Sequence, residues 1–209
     1  MNLLIPLYVY PLDDREAWTA ATRLGSDATI IVNVHNGPGE RYDPAYAYAT
    51  AALAAAGVPM LGYVDLDYAA RTLEAVYADI TAWRLYPVGG VFFDRVPSES
   101  DALSWTALAT APVRGRVALN PGTRPHPGYA ALADVICTFE GPWTTYRRQP
   151  AEPDWPNAAH LVYGIPPDDL PAAQRRLERR VPTGLASELD VPEPYRGLPT
   201  GLRGTAAVR

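Results

Sequence analysis

The sequence predicts an α/β protein built as one compact (β/α)8 TIM barrel with short loops. Eight short apolar runs recur along the 209 residues, and segments with helical periodicity separate most of them. The first seven runs are nearly continuous in apolar residues, which is typical of parallel strands covered on both faces. Barrels of this kind typically need about 250 residues, so a chain of this length is expected to have short loops and reduced helices.

The apolar runs define the predicted strands. They are Leu3–Tyr10, Ala28–Asn33, Pro59–Val64, Gly90–Asp94, Arg116–Asn120, Asp134–Glu140, Leu161–Gly164 and Gly184–Glu188, of which the last is weak. An open, doubly wound sheet is the alternative arrangement. A dinucleotide-binding sheet of that type would carry G-x-G-x-x-G after its first strand, and here the first strand is followed by Pro11-Leu12-Asp13-Asp14. The closed barrel is therefore favoured.

Helix start and stop signals mark the segments between strands. Asp13 is expected to cap a helix over Arg15–Arg23, and Asp43 followed by Pro44 opens the second helix. The connections after the fifth and sixth strands are rich in Pro, Gly and Thr, and we expect at most short helices there. Together these features predict one barrel over residues 1–204 and a frayed C-terminal tail at residues 205–209.

Composition argues against several partners. The formal net charge is -5 at pH 7, whereas nucleic-acid binding usually requires a basic face. No apolar stretch approaches the ~20 residues that a membrane span needs. Met1 leads directly into the first strand, without the basic start or the cleavage site of a signal peptide. The sequence as written therefore predicts a soluble, cytoplasmic protein that binds neither nucleic acid nor a membrane.

Several catalytic chemistries lack their sequence signatures. The histidines are His35, His126 and His160, without H-x-x-x-H spacing, and Cys137 is the single cysteine, so no metal site is expected. The chain contains neither a phosphate-binding P-loop nor the G-x-S-x-G turn of serine hydrolases. We therefore expect no cofactor.

Two carboxylates stand where strands of the predicted barrel end. Asp94 follows four apolar residues and Glu140 closes the sixth run. A carboxylate in that position must lie at the sheet edge or be paired, because burying it bare is costly. Asp94 could instead cap a helix or pair with Arg95 or Arg71, and Glu140 could accept bonds from backbone amides. Two carboxylates at the carboxyl ends of nearby barrel strands are what glycoside hydrolysis requires, one as proton donor and the other as nucleophile or base.

Further polar and aromatic residues at strand ends are candidates for binding a sugar. Aromatic rings stack on the apolar faces of sugars, and amides, carboxylates and guanidinium groups bond to hydroxyls. The candidate substrate-binding residues are Tyr8, Tyr10, Asn33, Tyr63, Asp65, Arg95, Asn120, Trp143 and Glu188. Tyr10 and Tyr63 could alternatively belong to the core. The expected partner is a carbohydrate polymer or oligosaccharide.

Several motifs in order carry a family resemblance. They are Ile5–Pro11, Ile31–Asn33 with Asn36–Gly39, Ala56–Val58, Leu61–Val64, Tyr68, Arg71, Trp83, Tyr86–Asp94, Asn120–Gly122, Phe139–Glu140, Pro194–Tyr195 and Leu198–Pro199. On these segments the chain resembles the spherulin-4-like proteins of spherulation-specific family 4. The resemblance implies a (β/α)8 barrel. In characterised relatives, which are often secreted, it implies internal cleavage of a galactosamine-containing exopolysaccharide at α-1,4 bonds.

The resemblance also implies the catalytic residues. The family has an Asp-Glu pair after the fourth strand and a Glu after the sixth, and Asp94 and Glu140 match the Asp and the later Glu. Arg95 stands where the pair has its second acid, and an arginine cannot act as an acid or a nucleophile at neutral pH.

Three functions follow as hypotheses. The first is an endo-acting glycoside hydrolase with Asp94 as nucleophile and Glu140 as acid/base, or with these roles exchanged. Arg95 would then bind substrate or hold Asp94. The second is a catalytically inactive barrel that binds a glycan or a partner. The third is an enzyme that acts on a small glycoside or another small molecule, which a deep closed pocket would favour.

Overall fold

The computed structural model describes residues 1–204, and its eight parallel strands form one closed barrel in sequential order. The strands are β1 (Asn2–Leu7), β2 (Ala28–Val32), β3 (Met60–Asp65), β4 (Gly90–Asp94), β5 (Arg116–Asn120), β6 (Val135–Pro142), β7 (Ala158–Tyr163) and β8 (Thr183–Ala186). β1 pairs with both β2 and β8, which closes the barrel and confirms the predicted fold. The tail predicted at residues 205–209 lies outside the described residues.

Short helices surround the strands. They are α1 (Arg15–Ala21), α2 (Pro44–Ala55), α3 (Leu73–Ala82), α4 (Leu103–Thr110), α5 (Trp143–Tyr146), α6 (Leu170–Arg180) and α7 (Thr200–Arg203). Single 3₁₀ turns cover much of the rest, at Gly25–Asp27, Asp67–Ala69, Trp83–Leu85, Ser100–Ala102, Pro127–Leu132 and Pro167–Asp169. The connection between β5 and β6 holds only such a turn and the one between β6 and β7 only α5, as their composition predicts.

Some boundaries differ from the sequence prediction for identifiable reasons. Asp14, not Asp13, caps α1: its carboxylate accepts a bond of 2.9 Å from the amide of Ala17 and pairs with Arg203 at 2.7 Å. β1 ends at Leu7, so Tyr8 and Tyr10 lie in the loop beyond it. β7 begins at Ala158, three residues earlier than predicted, because alanines give a weak strand signal in sequence although these are fully buried.

The layer between barrel and helices is tightly packed around Trp83. This side chain is 1% exposed, and its indole Nε1 donates a bond of 2.8 Å to the carbonyl of Tyr63 on β3. Gly62 faces the ring directly, and a Cβ built there would lie 2.6 Å from the Cγ atom of Trp83. The absence of a side chain at Gly62 therefore allows the indole to lie against the sheet.

A buried polar cluster joins β6, β7 and α5. His160 bonds through Nδ1 to the hydroxyl of Tyr146 at 2.8 Å and through Nε2 to the carboxylate of Asp154 at 3.0 Å. Burial lowers the pKa of His160 to about 4. This histidine is thus a packed, bonded part of the structure. Among residues 1–204, no helix has the length and apolar character needed to cross a bilayer.

Candidate active site

The two predicted carboxylates meet at the carboxyl end of the barrel. Asp94 ends β4 and Glu140 lies on β6, and Asn120 ends the strand between them. The Nδ2 atom of Asn120 donates to Asp94 Oδ1 at 2.7 Å and also donates a short bond to Glu140 Oε2. One amide nitrogen therefore bonds both carboxylates, and the three side chains form a single group.

Each carboxylate also receives a bond from a tyrosine. The hydroxyl of Tyr63 donates to Asp94 Oδ2 at 2.8 Å, and the hydroxyl of Tyr195 donates to Glu140 Oε1 at 2.7 Å. The ring of Tyr8 packs edge-on between the two tyrosines, with centroids 5.7 Å from each. These contacts leave each acid in one orientation, with donors on both of its oxygens.

Burial and proximity shift the acidity of the pair. Burial raises the pKa of Glu140, and the neighbouring charge of Asp94 raises it further. Burial also raises the pKa of Asp94, although bonds from Tyr63, the Arg95 backbone and Asn120 oppose the rise. Two close carboxylates with raised pKa values at a barrel mouth are typical of sites that transfer protons.

Arg95 contacts different partners from those expected. Its guanidinium does not pair with Asp94; it binds the carboxylate of Asp65 through Nε at 2.8 Å and through Nη2, and that of Asp67 at 2.9 Å. Asn36 donates a further bond of 3.1 Å to Asp65. Although burial favours protonation, the bonds from Arg95 hold the pKa of Asp65 below its ordinary value. The expectation that Arg95 holds Asp94 is therefore corrected.

The alternative partner considered for Asp94 is also engaged elsewhere. Arg71 donates to the carbonyl of Asp65 at 2.7 Å and pairs with Asp79 at 2.8 Å. Asp94 is left with the neutral donors Tyr63 and Asn120. A carboxylate held by neutral groups keeps more of its basicity than one in an ion pair.

A cleft of about 660 Å³ opens beside Asp94 above the ends of β1 and β2. Tyr8, Tyr10, Asn33 and Tyr195 line it, together with Asn36. The Oδ1 atom of Asn33 accepts a bond of 2.9 Å from the amide of Gly37, so this side chain also shapes the loop after β2. The cleft is open to solvent, and Asp94 is the carboxylate of the pair that lines it.

Trp143 and Glu188 are predicted binding residues that lie away from both the carboxylate pair and the cleft. Trp143 is 6% exposed, packs against Tyr146 and donates a bond of 2.8 Å from its indole to Asp169. β6 runs two residues past Glu140, which places Trp143 at the start of α5, in a second core cluster. Glu188 accepts a bond of 2.5 Å from the amide of Thr200 at the start of α7.

Tyr195 is the site residue that strand and helix patterns missed. It lies beyond β8 in a stretch rich in Pro and Gly, where neither strand nor helix periodicity marks a site residue. The main chain there is tied to the barrel, since the amide of Tyr8 donates to the carbonyl of Tyr195 at 2.9 Å. Only the family motif Pro194–Tyr195 marked this position. Within residues 1–204, no group of three or more His, Cys, Asp or Glu side chains could hold a metal ion.

Comparisons with known proteins identify a family and a shared fold. The model of spherulation-specific family 4 matches residues 2–205. Spherulin-4 of Physarum polycephalum is 34% identical over 148 residues, a match that covers 67% of this chain but only 45% of that protein's length. The crystal structure of Aspergillus clavatus Sph3 in complex with GalNAc superposes with a TM-score of 0.82 at 25% identity, covering 97% of this chain and 94% of the other. The chain therefore belongs to spherulation-specific family 4.

Proposed function

We propose that this protein is a glycoside hydrolase that cleaves within an amino-sugar polysaccharide containing galactosamine. The observation that carries the proposal is the bridging of Asp94 and Glu140 by the single amide nitrogen of Asn120. The likeness to Sph3, which has been crystallised with GalNAc, supports the sugar class. The open cleft beside Asp94 supports a polymer as substrate, because a chain can lie across it.

The spacing of the carboxylates favours a retaining reaction. The Nδ2 atom of Asn120 lies 2.7 Å from Asp94 Oδ1 and closer still to Glu140 Oε2, so these two oxygens are within about 5.4 Å of each other. Retaining enzymes have carboxyl groups about 5–5.5 Å apart, whereas inverting enzymes need about 6.5–9.5 Å to admit a water molecule. Direct attack by one carboxylate therefore suits this geometry better.

The surroundings of the carboxylates favour one assignment of the two roles. Asp94 receives bonds from Tyr63, Asn120 and the Arg95 backbone, which favour its ionised form, so we assign it as the nucleophile. Burial and the neighbouring charge of Asp94 raise the pKa of Glu140, which favours its protonated form, so we assign it as the acid/base.

The reaction then has two steps. First, Asp94 bonds to the anomeric carbon while the glycosidic C–O bond breaks, and Glu140 protonates the leaving oxygen. Second, Glu140 takes a proton from water, whose oxygen displaces Asp94 from that carbon.

Hydrolysis of partly deacetylated galactosaminogalactan by the purified protein tests the proposal. Asp94→Asn and Glu140→Gln should each lower kcat/KM by about 10²- to 10⁴-fold, because each removes a group that acts in the transition state. Glu178→Gln, an exposed carboxylate near the end of α6 and away from the barrel mouth, is the matched control and should have no effect. Unchanged activity in both site variants would contradict the proposal, and an inverted anomer in the first product would contradict the assigned mechanism.

The second candidate is a barrel that binds a glycan without cleaving it. Arg95, at the position of the family's second acid, is the observation that favours it. Titration that shows glycan binding, with no product after long incubation, would support this alternative over hydrolysis.

A further inference from the structure

Tyr68 is an exposed aromatic residue at the mouth of the barrel. It lies in the 3₁₀ turn Asp67–Ala69 directly after β3, and its side chain is 62% exposed. Tyr63 on the same strand is instead 5% exposed and bonded to Asp94. The chain thus presents one tyrosine to solvent five residues beyond the tyrosine that supports the proposed nucleophile.

The backbone around Tyr68 is strained. Asp67, Tyr68 and Ala69 have φ values of 46°, 53° and 70°, and Arg95 across the turn has a φ of 49°. Left-handed conformations are unfavourable for non-glycine residues and persist only where surrounding contacts enforce them. Three in succession show that strong contacts hold this turn in place.

Those contacts are the Arg95 clasp, which consists of Asp65, Asp67 and Arg95. The guanidinium binds both carboxylates, and Asp65 also accepts a bond of 2.8 Å from the amide of Asp67. The main chain adds a bond of 2.8 Å from the amide of Tyr68 to the carbonyl of Arg95. Because Arg95 follows Asp94 directly, the clasp fixes the turn relative to the carboxylate pair.

We propose that Tyr68 is the platform of an outer sugar-binding subsite, on which a pyranose ring stacks through its apolar face. Arg95 is its positioning residue, with the guanidinium carbon 5.9 Å from the centre of the Tyr68 ring. The proposal rests on the proposed function only in the class of ligand. It gives a role to an arginine that cannot perform acid catalysis.

Binding measured in the Asp94→Asn background tests the subsite without turnover. N-acetylgalactosamine α-1,4-oligosaccharides of increasing length are titrated by calorimetry into this variant and into versions that also carry Tyr68→Ala, Tyr68→Phe or Tyr48→Ala. Tyr48 is 82% exposed on α2 and is the matched control.

Tyr68→Ala should weaken binding of the longer oligosaccharides about three- to tenfold, as expected for loss of one ring stack, and leave GalNAc binding unchanged. Tyr68→Phe and Tyr48→Ala should bind as the background does.

Arg95→Gln distinguishes positioning from a general structural effect. It should weaken binding of the longer oligosaccharides and leave GalNAc binding unchanged. The double variant with Tyr68→Ala should lose no more affinity than Tyr68→Ala alone, because both changes remove the same interaction. Equal affinity with and without the Tyr68 ring would overturn the subsite, and so would an equal loss in Tyr48→Ala or no oligosaccharide binding by the background variant. Binding that depends on Tyr68 in a wild-type protein that cleaves nothing would leave the subsite standing and refute hydrolysis.

Discussion

Asn120 holds the carboxylates of Asp94 and Glu140 together through one amide nitrogen. Its Oδ1 atom accepts a bond of 3.0 Å from the amide of Gly122, which turns the Nδ2 atom towards both Asp94 and Glu140. The amide is therefore oriented before any substrate arrives. Preorganised donors of this kind stabilise charge without rearranging during the reaction.

The hydroxyl of Tyr195 bonds Glu140, the proposed acid/base residue. The bond from this hydroxyl favours the ionised form of Glu140, so Tyr195→Phe should raise the pKa of that carboxyl. Glu140 must be protonated to act as the acid, so the alkaline limb of the pH profile of kcat/KM should move to higher pH. Tyr77→Phe, which loses a hydroxyl bonded to Leu108 far from the site, should leave the profile in place. A limb that stays put or moves to lower pH in Tyr195→Phe would show that the bond does not control Glu140.

The ends of β4 and β5 could be predicted from the sequence, whereas the ends of β1 and β6 and the directions of the side chains could not. Asp94 and Asn120 end the strands that they were predicted to end, and Glu140 lies on the predicted strand but two residues before its end. Trp143 was misplaced because no periodicity shows that β6 continues to Pro142. The partner of Arg95 could not be predicted, since the left-handed backbone that turns it to Asp65 leaves no signature at a non-glycine residue.

At the scale of elements, β3 packs closely against the turn after α3 because Gly62 leaves room for the ring of Trp83. Gly62→Ala would place a methyl group against the ring of Trp83, so we expect a loss of about 1–3 kcal/mol in the free energy of unfolding from overpacking. Gly201→Ala in α7 has no atom near the new Cβ and should be neutral or slightly stabilising. Urea denaturation of both variants checks this, and equal stabilities would refute the packing argument.

At the scale of the whole molecule, the raised pKa values of Asp94 and Glu140 make the stability of the fold depend on pH. The folded chain binds protons on Asp94 and Glu140 at pH values where the unfolded chain has released them, because their pKa values are raised. Their contribution to stability is therefore lost as pH rises from about 4 through the folded pKa values.

Neutralising both acids should therefore stabilise the protein. The double variant Asp94→Asn with Glu140→Gln should show a higher free energy of unfolding than the wild type at pH 7. The difference should vanish at about pH 3, where both carboxyls are protonated in either state. Glu40→Gln serves as the exposed control. Denaturation at the two pH values measures the effect, and a double variant that is less stable at pH 7 would show that the bonds to Tyr63, Asn120 and Tyr195 outweigh the burial of charge.

The bond between Tyr195 and Glu140 spans 55 residues of sequence. During synthesis, the strands that carry both acids leave the ribosome well before Tyr195, whose carbonyl also receives the amide of Tyr8 beside the first strand. Tyr195 thus links the proposed acid/base residue to the segment that follows β1, because its hydroxyl bonds Glu140 and its carbonyl bonds the amide of Tyr8. A chain that stops before Tyr195 would carry both carboxylates without this donor to Glu140.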